Sequence, residues 1–531
     1  MTSPLSIRRV AILEPSVASE CVVSEMMGQI RCGAPFLAGA LEREGLQVRV
    51  FPEELIEFDG PLMDRIARDF DAVGLSLSLN TLPRGVQVAR ALKRRRPGLP
   101  IIAGGPSASA FADKLLTTCD AVLRGRGEIT FPRLLHAISS GISSGISSGV
   151  SSEPPVDAPS VTSSSADPAH LNGNSTPGNT LQRPIISSLA DLAQPGGIPG
   201  LVALDDRGIP RYNREDIPVA DGPVRYDLVE GFGRQTLRNG LFGGPKDAVY
   251  SLFGSTGCIR SCRFCKSERR YIARKQDAVI KDLNLLLHLH GETRGLARFM
   301  VVDDCLFADL DATKELLRRI EHTTRGREVS FSMQFHVAPT ADDELMQLFQ
   351  KAHFTSLALG LESVSQISLD AQHKGTTIAQ NDAALEQCRR HGIIPYGYFV
   401  VGFDSDEEAD VEKVFEYILD RRILGQVLPV GIMNRNEFGE PSPEADQVLS
   451  DTSFGATVFV SHRPKKISAA RLQTLINHGH ERMTSLKRLV HFWTRYERAF
   501  LLGQNRCFAI WKPAMQAHVS YLQQIAPDGK V

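Results

Sequence analysis

Three of the nine cysteines in this 531-residue chain fall within eight residues, in the run Gly254-Ser-Thr-Gly-Cys258-Ile-Arg-Ser-Cys262-Arg-Phe-Cys265. Thiolate sulfur is soft and binds iron–sulfur clusters well. A compact loop can set three such sulfurs around one cuboidal cluster, with Gly254 and Gly257 easing the steric limits where it leaves a strand. A closed electron-transfer cluster takes four protein thiolates. A structural zinc site also takes four ligands, usually as two separated pairs. The next cysteine along, Cys305, belongs to a different strand end. Three local ligands leave one iron open to an exogenous chelate. Zinc, or a chance group of buried thiols, is the competing reading of the same residues.

The elements that must carry this loop follow from the apolar pattern. After Ala248, strand signals at 249–254, 298–303, 329–335, 356–360, 396–402 and 427–432 alternate with helical patterns at 280–290, 312–321, 341–351, 378–390 and 407–420. Such alternation predicts a parallel sheet with right-handed crossovers, and six units make a partial (β/α) barrel. The cysteine run directly follows the first of these strands, and barrel active sites are built from the loops at the carboxyl ends of strands.

The first 135 residues alternate in the same manner, with strand signals at 9–15, 48–51, 72–79, 101–105 and 121–125 and helices such as 34–44 and 84–95. This predicts a doubly wound α/β domain with its ligand beyond the strand ends. Those ends carry Ser76, Ser78, Gly104, Gly105, Gly125, Gly127 and Glu128. Glycines there either let backbone approach a ligand or make turns.

From Ser139 the chain reads SSGI, SSGI, SSGV and continues rich in Ser, Pro, Thr and Asn to about residue 180, which predicts a flexible linker or surface insertion. The expected division is 1–137, a linker at 138–187, a connector at 188–246, the barrel at 247–434 and a mainly helical region at 435–531. In the last, Phe492, Trp493 and Tyr496 form an aromatic stripe read as core packing.

Bulk composition narrows the function classes. Sixty basic and 61 acidic side chains nearly cancel, so nothing electrostatic argues for nucleic acid or an anionic membrane surface. The start MTSPLSIRRVAILEP reads as a first strand rather than a signal peptide, and no apolar run nears the roughly 18–20 residues that span a bilayer. Cysteines this sparse should stay thiols or bind metal, and a cytoplasmic location is expected.

With that pattern in place, the CxxxCxxC spacing, with Phe264 before its last cysteine, resembles the radical S-adenosylmethionine signature. The resemblance implies a [4Fe–4S] cluster on Cys258, Cys262 and Cys265, with S-adenosylmethionine chelating the open iron. It also implies cofactor contacts at the other strand ends. Asp303 and Asp304 would accept from the cofactor's ammonium, or else cap the following helix. Glu362 and Ser363 match the ribose-contacting region, Gly402 the backbone beside the adenine, and Gln334 and His336 either face substrate or close the barrel mouth.

The first domain resembles that of cobalamin-binding radical enzymes, on Val73-Gly-Leu-Ser76-Leu-Ser78, Ile102-Ala-Gly104-Gly105-Pro106 and Asp120-Ala-Val-Leu-Arg-Gly125-Arg-Gly127-Glu128, with Ile198-Pro-Gly200-Leu resembling the connector before their barrel. Cobalamin is the implied third cofactor, contacted by the strand-end residues already named. No histidine precedes His136, so imidazole from this domain cannot ligate cobalt from below. The family resemblance implies a methyltransferase acting on an unactivated carbon or phosphorus of a small molecule, through a 5′-deoxyadenosyl radical and methylcobalamin, with a flavodoxin or ferredoxin as electron donor. The alternatives are a radical cyclase or rearrangement enzyme and a non-catalytic metal-binding sensor. Arg260, Arg263, Lys266, Arg269 and Arg270 form a basic run that either draws an anionic substrate or is a solvated face. Cys305 is the only other cysteine near the mouth and a minor candidate for carrying a methyl group.

Overall fold

The computed structural model describes residues 6–16, 29–78, 81–106, 108–140, 189–217, 221–232, 249–265, 267–291, 296–431, 438, 440–441, 445–449, 459–485 and 498–525. The Ser-rich stretch beyond residue 140, Lys266, Phe492, Trp493 and Tyr496 lie outside them.

In the first domain, the parallel strands Arg9–Glu14 (β1), Gln47–Pro52 (β3), Ala72–Ser76 (β4), Ile101–Gly104 (β5) and Ala121–Leu123 (β6) run in the order β3-β1-β4-β5-β6. This is the flavodoxin-like order, whose switch point lies between β1 and β4. Every residue of β6, and all but the last of β4 and β5, is buried, as strands covered on both faces require. One face packs on helices Gly60–Asp69 and Leu82–Arg95 through Ile66, Val88 and Leu92. The other packs on Gly33–Arg43 and Thr130–Ser139 through Leu41, Phe131 and Leu134.

Two findings redraw the expected boundaries. Leu201–Leu204 (β7) and Pro210–Tyr212 (β8), expected in a connector, extend the first sheet antiparallel beyond β6. Asp205 turns this hairpin, its carboxylate accepting from the N–H groups of Arg207 at 3.0 Å and Ile209 at 2.8 Å. Gln29–Ile30 (β2), ahead of the first domain's opening helix, joins the second sheet instead. A two-residue strand carries no periodicity to read; it exists because the edge of its neighbour offers unpaired backbone groups.

That second sheet has the order β16-β15-β14-β13-β12-β9-β2. Its barrel strands are Val249–Leu252 (β9), Ala297–Val301 (β12), Val329–Phe335 (β13), Phe354–Glu362 (β14), Ile394–Val401 (β15) and Leu424–Pro429 (β16), all parallel. Between β9 and β12 an antiparallel pair, Ser255–Thr256 (β10) and Ile272–Ala273 (β11), pinches the cysteine run into a closed loop. Side-chain caps start several of the intervening helices: Asp309 accepts from Ala312 N–H at 2.9 Å, Asp342 from Leu345 N–H at 3.0 Å, and Thr377 with Gln380 forms a capping box. Across the strands Phe299, Phe331 and Phe354 stack at 4.8 and 5.2 Å between centroids. The region after the barrel contributes helices Ala469–Met483 and Arg498–Ile525. The first of them docks on the open edge, where His480 Nε2 meets Val427 O at 3.1 Å. Among the described residues no helix is long and apolar enough to cross a membrane.

Phe331 is fully buried in the middle of that aromatic stack. Phe331→Ala should therefore lower the unfolding free energy by about 3–5 kcal/mol, read as a reduced denaturant midpoint.

Candidate functional site at the barrel mouth

The cysteine loop is anchored from beneath. At the end of β12, Asp303 is buried and its carboxylate accepts from Gly254 N–H at 2.9 and 3.1 Å and from Ser255 Oγ–H at 2.5 Å. Burial pushes its pKa up to about 6. These oxygens are occupied by the start of the loop, not held out toward the mouth, and the following helix is capped by Asp309. Asp304 accepts from Ser267 Oγ–H at 3.0 Å and stays exposed beside the loop.

Within the loop, Gly257 has φ +75°, and a Cβ there would lie 2.1 Å from Arg270 O, so only glycine fits. Cys258 N–H donates to Glu268 O at 2.7 Å, closing the ring of backbone. Sulfur is met by amide donors: Arg260 N–H reaches Cys258 Sγ at 3.3 Å and Ser267 N–H reaches Cys265 Sγ at 3.4 Å. Cys258 and Cys262 are buried and Cys265 is half-buried. Burial pushes the Cys262 thiol up, and the Lys374 ammonium opposes that shift. Among the described residues no group of three or more His, Cys, Asp or Glu side chains converges as one metal ion would require. A cube asks for a different spacing, since each thiolate takes its own iron.

The basic run divides by role. Arg269 donates to the carbonyls of Arg260 at 2.6 Å, Cys262 at 2.8 Å and Cys265 at 3.0 Å, so it braces the loop from within. Arg263 and Arg270 are exposed. Cys305 is buried against Cys258, and burial pushes its thiol up to about 12. A neutral thiol is a poor nucleophile, which counts against a methyl-carrying role.

Around the mouth the other strand ends close in. Glu362 ends β14 with φ +62°, and its Oε1 accepts from buried Lys374 Nζ at 2.7 Å. A Cβ on Gly360 would lie 2.5 Å from that oxygen and 2.8 Å from that nitrogen, so this glycine makes room for the pair. Ser363 is buried and its Oγ accepts from Ser365 N–H at 3.1 Å. Gly402, with φ +87°, donates its N–H to Asp406 at 3.0 Å, and its carbonyl pairs with His462 Nε2 at 2.9 Å. Phe403 packs on Phe264 of the cysteine loop at 5.7 Å. His336 is buried, and burial with the nearby Lys374 and Arg260 charges holds its pKa down to about 3. Its Nδ1 accepts from Ala338 N–H, which leaves the proton on Nε2. Gln334 is exposed at the same strand end.

The strand ends of the first domain lie against this mouth. At its switch point Glu14 is buried, which raises its pKa, with Ser76 hydrogen-bonded to it and Arg31 Nε 3.9 Å away. Ser78 N–H donates to Thr81 Oγ1 at 2.9 Å. Gly105 and Gly125 adopt φ +117° and +65°, whereas Gly104 and Gly127 keep ordinary backbone. Glu128 Oε2 is buried without a hydrogen-bond partner, and burial raises its pKa. Buried polar atoms left in this way point to a missing partner. The Glu128 oxygen is therefore the feature here that suits a polar ligand, whereas the turns at Gly105 and Gly125 pack on Leu77 and Ile217.

Lys374, Asp406, His462, Glu14, Ser267 and the bracing role of Arg269 were not singled out by sequence reasoning. Single lysines, aspartates and histidines carry no spacing signal; only the distance from Lys374 to Glu362 makes the pair visible.

Comparison with known proteins agrees with the two-part layout. Residues 252–418 match the model of the radical SAM superfamily, and residues 30–135 match the B12 binding domain. An uncharacterized methyltransferase, PH0819, of Pyrococcus horikoshii is 21% identical over 356 residues, which is 66% of this chain but 64% of that protein, just under two thirds. The cobalamin-dependent S-adenosylmethionine radical enzyme OxsB has a similar fold at TM-score 0.62 and 12% identity, over 99% of this chain and 74% of that one. The radical S-adenosylmethionine methyltransferase TsrM from Kitasatospora setae is similar at TM-score 0.56 and 16% identity, over 81% and 75%.

Asp303 binds its proton more tightly in the fold than in the unfolded chain, so the stability it contributes is present below its ordinary value of 3.8 and is lost as pH rises through about 6. Between those limits Asp303→Asn should gain stability relative to the parent as pH rises, measured by denaturant midpoints across the window. Gly257→Ala should break the loop's closure and sharply reduce the iron retained after anaerobic reconstitution, measured by iron and sulfide content per chain.

Proposed function

Because the chain belongs to the radical S-adenosylmethionine enzymes that carry an N-terminal B12-binding domain, we propose that it is a methyltransferase acting on an unactivated carbon or phosphorus of a small-molecule substrate. The observation that carries this reading is the joining of two sites. A loop of three thiols at a barrel mouth is joined through Arg126 to a strand-end turn of the doubly wound domain, in which Glu128 has a buried oxygen without a partner.

Cys258, Cys262 and Cys265 would hold the [4Fe–4S] cluster, with S-adenosylmethionine beside it. The strand-end residues Ser76, Ser78, Gly104, Gly105, Gly125, Gly127 and Glu128 would hold cobalamin. The bound groups supply an electron for cleaving S-adenosylmethionine to a 5′-deoxyadenosyl radical, together with a methyl group that can be transferred. The chain's part is to orient and enclose them. The Glu362–Lys374 pair and Ser363 form the wall where the nucleoside end of S-adenosylmethionine would lie, and Asp304 remains exposed for its ammonium. The Gly402 backbone, fixed by Asp406 and His462, together with Phe264 and Phe403, supplies an apolar edge suited to the adenine. His336, held neutral by burial, presents an Nε2–H donor at the mouth without adding charge. An electron donor of the flavodoxin or ferredoxin type and a cytoplasmic setting belong to the same proposal.

Anaerobic reconstitution with iron, sulfide and hydroxocobalamin, followed by reduction and a product assay with S-adenosylmethionine, tests it. Both 5′-deoxyadenosine and S-adenosylhomocysteine should form. Replacing Cys258, Cys262 and Cys265 together by serine should abolish the first and most of the iron. Formation of 5′-deoxyadenosine without S-adenosylhomocysteine would instead favour a cyclase or rearrangement enzyme, and no cleavage at all a binding protein.

A further inference from the structure

The strand that carries the cysteine loop is gripped at three points by the N-terminal half of the chain. Gln29–Ile30 pairs with Val249–Tyr250 at the sheet edge. Phe36, on the first domain's opening helix, meets Phe253 edge to face at 5.4 Å, and Arg274 lies over the same Phe253 ring at 4.2 Å. At the tip, Arg126 binds Glu268 at 3.2 Å and donates to Thr256 Oγ1.

The third grip differs from the other two in where it originates. Sheet pairing and ring packing join regular elements, whereas Arg126 sits between Gly125 and Gly127 in the turn that also carries Glu128. That turn holds the buried carboxylate oxygen without a partner, so it is the part of the interface that a ligand of the first domain would reorganise. At the other end, Thr256 lies in the two-stranded pinch at the base of the cysteine loop. The backbone carbonyl of Glu268 accepts Cys258 N–H at 2.7 Å. One guanidinium, only 17% exposed, therefore spans from the proposed cobalamin turn to the residue that fixes the first cysteine.

We propose that Arg126 is a positioning residue through which the two cofactor sites stabilise one another, so that loading the cluster tightens cobalamin binding and cobalamin favours retention of the cluster. The inference rests on the proposed function, because it needs both cofactors to bind. Reciprocity is required by thermodynamics: whatever factor one ligand exerts on the other's affinity is returned in full. A charge-assisted contact between two loops is of the right size, since couplings between sites commonly amount to about 5- to 150-fold in affinity.

The test is an absorbance titration of the full-length chain with hydroxocobalamin under anaerobic conditions, with and without the reconstituted cluster. The parent should bind at least about fivefold more tightly when the cluster is present. Arg126→Gln should still take up iron and cobalamin but lose that difference, and Glu268→Gln should do the same. The double variant should lose no more than Arg126→Gln alone, because that substitution already removes the Glu268 contact together with the one to Thr256. Arg126→Lys, which keeps the charge but not the fork, should restore part of the difference, an outcome that damage to packing alone would not produce. Equal affinities in the two states of the parent, or a full difference retained in Arg126→Gln, overturns the inference while leaving the proposed function standing. A parent chain that binds no cobalamin at all overturns both.

Discussion

A carboxylate buried between two strand ends is the constraint on which the mouth depends. Taking Asp303 out of water is costly unless donors surround it, and the donors available are Gly254 N–H and the Ser255 N–H and hydroxyl at the entrance to the cysteine loop. Satisfying that one group sets where the loop departs from the barrel. From there Gly257 turns, Glu268 O takes the Cys258 amide, and Arg269 collects three of the loop's carbonyls. The loop has few apolar contacts with which to organise itself, so backbone hydrogen bonds and one bracing guanidinium define its shape.

The other side of the mouth uses opposite means to the same end. The Glu362–Lys374 pair is buried, and a buried ion pair contributes little net stability compared with apolar packing. Its value lies in geometry, because it fixes a left-handed residue at a strand end and requires glycine at 360. Strained backbone of this kind concentrates at functional sites. Gly402, clamped through both its N–H and its carbonyl, follows the same logic.

Joining the halves is what turns two common α/β frameworks into one site. The first domain's switch point and the barrel's carboxyl ends are where each fold places its ligand. The chain ties them together by sending β2 into the barrel sheet, while β7–β8 extend the first sheet before the barrel begins. Neither sheet is assembled from one contiguous stretch of chain, so the two domains are laced together.

Much of this was legible in the residues. The barrel's six strands fall within a few positions of their apolar signals, because along strands such as Val329–Phe335 and Ile394–Val401 nearly every second side chain is buried in the core, and the three cysteines stand out by their spacing, the cluster they would hold being what the family resemblance implies. What the sequence could not supply was every relation between distant positions: the hydrogen bonds of Asp303 to the start of the loop, the partnership of Lys374 with Glu362, the reach of Arg126 to Glu268, and the crossing of β2 into the barrel sheet. Local pattern determines which element forms and which face it buries. Hydrogen-bond partners and charge pairs depend on distances across the fold, which exist only once both sheets have closed around their cores.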